Sequence, residues 1–302
     1  MMVFKKRIKI LALLSKAFEG FKRNDPLRMA GATAFFTTFA LPAVLIILIQ
    51  IFGIFLSPRY MTRKIFHNLS EIVGRNTAGE LHRTLFNVHN LFRNWYEAAL
   101  GFIFLIFVAT TLMKVIKDSL NQLWNIRAAS HISIQVSLLN RIKSFLVIII
   151  AGILFLLVLL AEGGLDLIKQ TSGELSPASQ ALGKEVIKQF ISLILVSIWF
   201  FVLFKFLPDG GPSLKTVIVG ACFTGLLFTS GKLLLKWLLS YSNMQTVYGA
   251  STSSVLLLLF VFYSSFIFYF GACFTKVWAE FHNEPIHPSK NAESYEWKRV
   301  TV

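Results

Sequence analysis

Charge is scarce in this chain. Only 15% of its 302 residues are charged, and Asp and Glu together number 15, half the count of phenylalanine alone. A two-metal nuclease or hydrolase needs several clustered carboxylates or histidines to hold its ions. The sequence supplies no such cluster. The patterns HExxH, GxSxG and GxxxxGK[ST] are missing too, so zinc-peptidase, serine-hydrolase and phosphate-loop chemistry have no foothold and no cofactor is expected. Cys222 and Cys273 are the only cysteines. Their number and placement exclude a disulfide framework or a zinc pattern, and they are expected as reduced, small packing residues. His67, His82 and His89 share one segment, and His82 and His89 fall on one helical face. Metal ligation needs more ligands at close spacing, so these histidines are expected to face solvent.

What remains is apolar. Hydrophobic residues make up 55% of the chain. Uncharged runs cover residues 29–58, 98–113, 144–161, 189–204, 216–231 and 237–275. A helix rises about 1.5 Å per residue, so roughly 20 residues cross a hydrocarbon core of about 30 Å. The shorter runs continue past Lys114, Lys205 and Lys232, whose ammonium groups can snorkel toward an interface. The spacing predicts six transmembrane helices, near 30–54, 97–116, 144–163, 189–207, 216–239 and 250–277. A β-barrel would alternate apolar and polar residues with period two. "LVIIIAGILFLLVLLA" (146–161) does not alternate, so the expected fold class is an all-α polytopic membrane bundle.

Six spans place both termini on one side. That side carries 19 of the 30 Lys and Arg residues, so the positive-inside rule puts the termini in the cytoplasm. The basic start lacks a compact apolar stretch ending in a small-residue cleavage site, so no secretory signal is read there. Residues 1–28 instead place Phe4, Ile8, Leu11, Leu14, Phe18 and Phe21 at helical spacing among lysines. Such a basic amphipathic helix suits an anionic leaflet. A basic arm can also bind nucleic acid, but beside six spans the expected partners are membrane lipids. Residues 57–96 read as an outer helical hairpin broken near "GRNTAG", a surface on which envelope proteins could dock. Val115, Ile116, Leu120, Leu123 and Trp124 predict that the second span runs on past the membrane. "LPDGGPS" (207–213) predicts a tight turn. Residues 1–281 form one membrane domain in this reading, and 282–302 a loose cytoplasmic tail.

Polar residues within the spans are the candidates for function. Ala221, Gly225, Thr229, Lys232 and Lys236 fall on one stripe of the fifth span, about 80° wide. Lys232 either snorkels to the outer interface or lines a polar cavity opposite Glu162 of the third span. A lateral cleft lined by Lys232, Thr229 and Ser254 would form a lipid path. In the first span, Thr33, Thr37 and Thr38 precede Pro42. The proline bends the helix or marks a hinge, and the hydroxyls can satisfy the carbonyl it frees. In the sixth span, Ser264, Gly271 and Thr275 share a side, with Ser265 and Ala272 beside them. Small residues let helix backbones approach closely, so packing is their expected purpose. A "GAC" triplet occurs at 220–222 and again at 271–273, too short to argue duplication.

"YGASTSSVLLLLFVFYSSFIFYFGA", opening on Tyr248 and Gly249 and closing on Gly271 and Ala272, resembles the sixth span of the YihY/BrkB family of bacterial membrane proteins. "DPLRMAGATAFFTTFALPAVLIIL", with Ala30, Ala34, Phe35, Phe36 and Pro42, is similar to that family's first span. Asn121 and Trp124 in "LNQLWNI" match it, as do Leu207, Pro208, Gly220, Ala221, Thr224, Lys232 and Tyr241 around the fourth-to-fifth junction. The resemblance covers roughly 25–281. It implies six spans and residence in the bacterial plasma membrane. Members are described as virulence factors for serum resistance, are linked to export of envelope lipids, and carry an older ribonuclease BN label that the residues here do not support. Members commonly read Gly-Ala-Glu where this chain reads Gly271-Ala272-Cys273, and Phe260 stands where tryptophan is frequent. Losing that glutamate puts any proton- or cation-coupled mechanism through this position in doubt. Three functions stay open: transport or flipping of a lipid or other amphipathic envelope component; a non-catalytic envelope scaffold or assembly factor, with envelope proteins or further copies of the chain as partners in a homo-oligomer; and an enzyme, for which no catalytic set is found.

Overall fold

The structure, a computed structural model, describes residues 2–52, 62–63, 66–67, 70, 78–83, 95–128, 142, 146–147, 149–150, 153–154, 177–241, 252–289 and 292–296. Helix α1 (Met2–Arg23) is followed by α2 (Pro26–Phe52), α3 (Trp95–Leu123), α4 (Pro177–Phe206), α5 (Leu214–Tyr241) and α6 (Thr252–Phe281). Four short strands, β1 (Ile126–Ala128), β2 (Gly210–Gly211), β3 (His287–Pro288) and β4 (Ala292–Ser294), lie between and after them. Among the described residues, three stretches are long and apolar enough to cross a membrane: Gln189–Phe206, Leu214–Leu235 and Ser254–Phe281.

Helix α6 is the axis of the assembly, with α1, α2, α3 and α5 packed around it and α4 against α5. Aromatic rings fill the centre. Phe204 and Phe268 stack at 5.3 Å between centroids, and Phe200 and Phe268 at 5.7 Å. Val147, of the third predicted span, is buried in the same core, with Ile150 and Leu154 packed against it. Offsets of three and seven residues put these on one helical face. Glu162 lies outside the described residues. From the predicted outer hairpin, Phe66 and Leu81 pack with Leu41 of α2 and Leu257 of α6. His82 is exposed with its ring 4.8 Å from Phe66, whereas His89 lies outside the described residues.

Local chemistry explains the ends. Asn24 donates to the Gly20 carbonyl at 2.8 Å, closing α1, and Asp25 takes a left-handed conformation (φ 51°). Pro26 then opens α2, where a missing N–H costs nothing and the ring presets φ. Helix α2 continues through Pro42. The Thr38 hydroxyl donates to Ala34 O at 2.9 Å, one turn before the carbonyl that the proline frees. Helix α3 runs on to Leu123, as the spacing predicts, and stops at Asn125, which is left-handed at φ 55°.

Two expectations change. The apolar face of α1 is turned differently: Leu13, Ala17 and Phe21 are buried, while Leu11 and Phe18 are 66% and 57% exposed. Phe21 sits 4.8 Å from Phe266 and 5.6 Å from Phe270, so α1 docks on α6 through this face. The tail is also not loose over its described residues. Strand β3 pairs with β2, and β4 with β1, both antiparallel.

Candidate functional site

The densest polar structure stands where α3, the α4–α5 turn and the tail meet. Asp209 is its centre. The Asn121 amide donates to Asp209 Oδ2 at 2.9 Å, and the Asp209 backbone N–H donates to Asn121 Oδ1 at 2.8 Å. One side chain thus satisfies both the carboxylate and the peptide group of the turn. Lys117, one helical turn before Asn121, reaches Asp209 Oδ1 at 2.8 Å. The backbone N–H of Ser289 in the tail donates to Asp209 O at 2.8 Å. Lys117 and Asp209 side chains are only 12% and 20% exposed, so this pair is shielded more than a surface bridge. Asp118 beside them stays in contact with solvent, yet its carboxyl is held above the ordinary range. Desolvation is the main cause, Lys114 and Lys117 oppose it, and Asp209 adds to it.

The turn between α4 and α5 is built to be held. Lys205 donates to Pro212 O at 2.8 Å, a cation at the negative end of α4. Ser213 accepts the Thr216 N–H at 3.3 Å as the N-cap of α5, and its hydroxyl donates to Glu284 at 2.6 Å. Pro208 is buried. Gly210 has no room for a side chain, since a Cβ there would lie 2.7 Å from Ile126 and 2.8 Å from Ile286. Trp124, 3% exposed, donates its indole N–H to Ala272 O at 3.1 Å. Around this plug the strands close a clasp. Ile126 pairs with Ser294 and Ala128 with Ala292, Tyr295 N–H donates to Asn125 O at 3.0 Å, and Arg127 bridges Glu293 at 3.3 Å.

Above the clasp, α5 and α6 interlock. The pentapeptide Gly-Ala-Cys-Phe-Thr occurs twice, at 220–224 and 271–275, and its two copies face each other. Gly220 lies against Thr275, whose Cβ would be 2.9 Å from an added methyl. Gly271 lies against Thr224, with 2.8 Å to its Cβ. Phe223 and Phe274 stack across the pair at 3.9 Å. Each threonine hydroxyl donates to its own helix at 2.7 Å, to Gly220 O and Gly271 O. The contact therefore repeats itself about a local two-fold axis. Cys273 is buried in it, while Cys222, expected as a packing residue, points outward.

The predicted path residues fare unevenly. Gly225 is buried against Ser197 of α4, so the middle of the stripe is a helix contact and not an opening. Thr229 and Lys232 are half-buried and Ser254 is exposed. Tyr248 and Gly249 lie outside the described residues. Asn121, Trp124 and Pro208, matched by the resemblance, stand at the clasped end, and Gly271 stands in the α5–α6 interlock. Tyr269 has no forewarning in the sequence. Completely buried, its hydroxyl meets Thr33 of α2 at 2.6 Å and lies beside Ser119 of α3, so polar groups of three helices gather there. The five-residue repeat, by contrast, is plain in the sequence once the triplet is read two residues further. Among the described residues, no group of three His, Cys, Asp or Glu side chains could hold a metal ion.

A UPF0761 membrane protein of Mannheimia succiniciproducens is 24% identical over 268 residues, covering 85% of this chain and 86% of the relative. A UPF0761 membrane protein of Actinobacillus pleuropneumoniae is 27% identical over 180 residues, covering 57% of this chain and 59% of its own. No solved structure matches the chain. The family model described as Virulence factor BrkB matches residues 17–296, which takes in the helices from α2 to α6, the clasp and the interlock, and the chain therefore belongs to the BrkB family.

Proposed function

We propose that this protein spans the bacterial plasma membrane six times, with both termini cytoplasmic, and moves a lipid or another amphipathic envelope component across it without enzymatic chemistry. The carrying observation is the asymmetry of the bundle. At one end Asp209, Asn121 and Lys117 bolt α3 to the α4–α5 turn under a clasp of paired strands. Toward the other end the α5 stripe reaches the half-buried Thr229 and Lys232, and the first turn of α6 carries the exposed Ser254. A carrier needs one closed end and one end that can admit its cargo. An ammonium group within a membrane normally faces a partner or a wet cavity, and Lys232 suits the phosphate of an amphipathic substrate. Helix α2, passing through Pro42, supplies a segment that can flex. The other reading is an envelope scaffold. The Gly-Thr interlock favours it, because close backbone contact resists rearrangement.

The test is purified protein in liposomes carrying labelled phospholipid or lipopolysaccharide in one leaflet. Transport predicts movement faster than in protein-free liposomes. Equal rates across several lipids sink the flippase and leave the scaffold.

A further inference from the structure

The outward side of α1 is unexplained by packing. At about 100° per residue its side chains divide into three sectors. Leu13, Ala17 and Phe21 are buried toward α6. Leu14, Phe18 and Leu11 follow on one flank, the last two well exposed. Ser15, Lys16, Glu19, Lys22 and Arg23 occupy the rest, all exposed. A helix on a soluble protein shows two sectors, core and water. Phe18 touches Phe270 of α6 edge-on at 6.5 Å, yet it and Leu11 stay more than half exposed, and an exposed apolar third sector beside cations is the pattern of a helix lying in a membrane interface.

Neighbouring helices place α1 at such a boundary. On α2 the exposed residue Arg28 gives way within about three turns to exposed Phe35 and Phe39. On α3 the exposed Lys114 and Asp118 give way in the same manner to Phe107 and Phe104. Thr33 of α2 hydrogen-bonds Tyr269 of α6 and Ser119 of α3 lies beside the same tyrosine, which brings these transitions to one level. Phe21 meets α6 at Phe266 and Phe270, on either side of that tyrosine. So α1 lies where exposed charge changes to exposed aromatic surface. Its angle is fixed by Phe21 and the Asn24–Asp25 elbow at one end and by the buried Leu13 and Ala17 nearer its middle.

We infer that α1 is a docked reader of anionic phospholipid: Leu11 and Phe18 enter the acyl region of the leaflet while Lys16, Lys22 and Arg23 bind lipid phosphates at its surface. The sequence adds Lys5, Lys6, Arg7 and Lys9 to the same helix. The charges choose the occupant, since this exposed sector carries three cations and only Glu19 against them. The idea goes beyond the transport reading and does not depend on it.

The test uses the full chain in nanodiscs, in a Cys222→Ser, Cys273→Ala background. An environment-sensitive fluorophore is attached to Phe18→Cys or, on the water side, Ala12→Cys. The nanodiscs contain acyl-brominated phosphatidylcholine or phosphatidylglycerol. The Phe18 probe is expected to be quenched, more strongly by the anionic lipid, and the Ala12 probe to be spared. Changing Lys16, Lys22 or Arg23 to Gln lowers the preference for the anionic lipid, by about fivefold per cation. Equal quenching of both probes overturns the proposal, because the helix then has no lipid-facing side. Equal quenching by the two lipids overturns the role of charge. No quenching of either probe assigns the flank to a protein partner and likewise overturns it.

Discussion

At Gly220 and Gly271 a single methyl group decides whether two helices can touch. Each faces the threonine of the opposite copy of the repeat. Gly271→Val is therefore expected to destabilise the protein by about 1–3 kcal/mol through overpacking. Thermal unfolding in detergent measures it, and pairing the change with Thr224→Ala should recover part of the loss. An unchanged melting temperature in the single variant would contradict the interlock. Asn121→Ala strands the Asp209 backbone N–H under the clasp and is expected to cost about 1–3 kcal/mol. Asp118 gives a test of sign. Its folded-state pKa is raised above the ordinary 3.8, so the ionised carboxylate is a burden on the folded form at neutral pH. Asp118→Asn should raise the melting temperature there, and the gain should vanish as pH falls below about 4. A gain that persists in acid would assign it to something other than this carboxylate.

The elements differ in how openly the sequence announces them. A helix in a membrane must satisfy every backbone group within itself, and long uncharged runs write that demand plainly. The described α2 to α6 all lie where those runs predict helix. Strands β1 to β4 are two or three residues long and carry no alternation to read. They exist because the chain returns to Asp209 and Asn125, which supply partners for tail backbone groups. The rotation of α1 was hidden for a related reason. Three sectors cannot be separated by hydrophobicity alone when two of them are apolar. Truncating the chain after His282 removes β3 and β4. Amide exchange should then quicken at 126–128 and 210–211, while the α5–α6 contact keeps its protection. Exchange unchanged at those strands would show that the clasp holds nothing. The Arg127–Glu293 bridge adds little, since its side chains are 67% and 51% exposed.

At the scale of the whole molecule the candidate site was half legible. Asn121, Trp124 and Pro208 stood out by resemblance, but their purpose came from the contacts with Asp209 and Ala272. Lys232 stood out by its place in a span, and it occupies the end away from the clasp. A carrier of this build has to release the clasped end in some stage of its cycle. The most direct measurement introduces Arg127→Cys and Glu293→Cys, residues directly paired across β1 and β4, at a separation a disulfide can bridge. Lipid movement in proteoliposomes is then followed in oxidised and reduced protein, in a Cys222→Ser, Cys273→Ala background. The account predicts movement faster than in empty liposomes for reduced protein, and roughly a tenfold loss on oxidation, about 1.4 kcal/mol in the barrier, that reducing agent restores. Reduced protein no faster than empty liposomes would contradict it, and so would locked protein that moves lipid at the full rate.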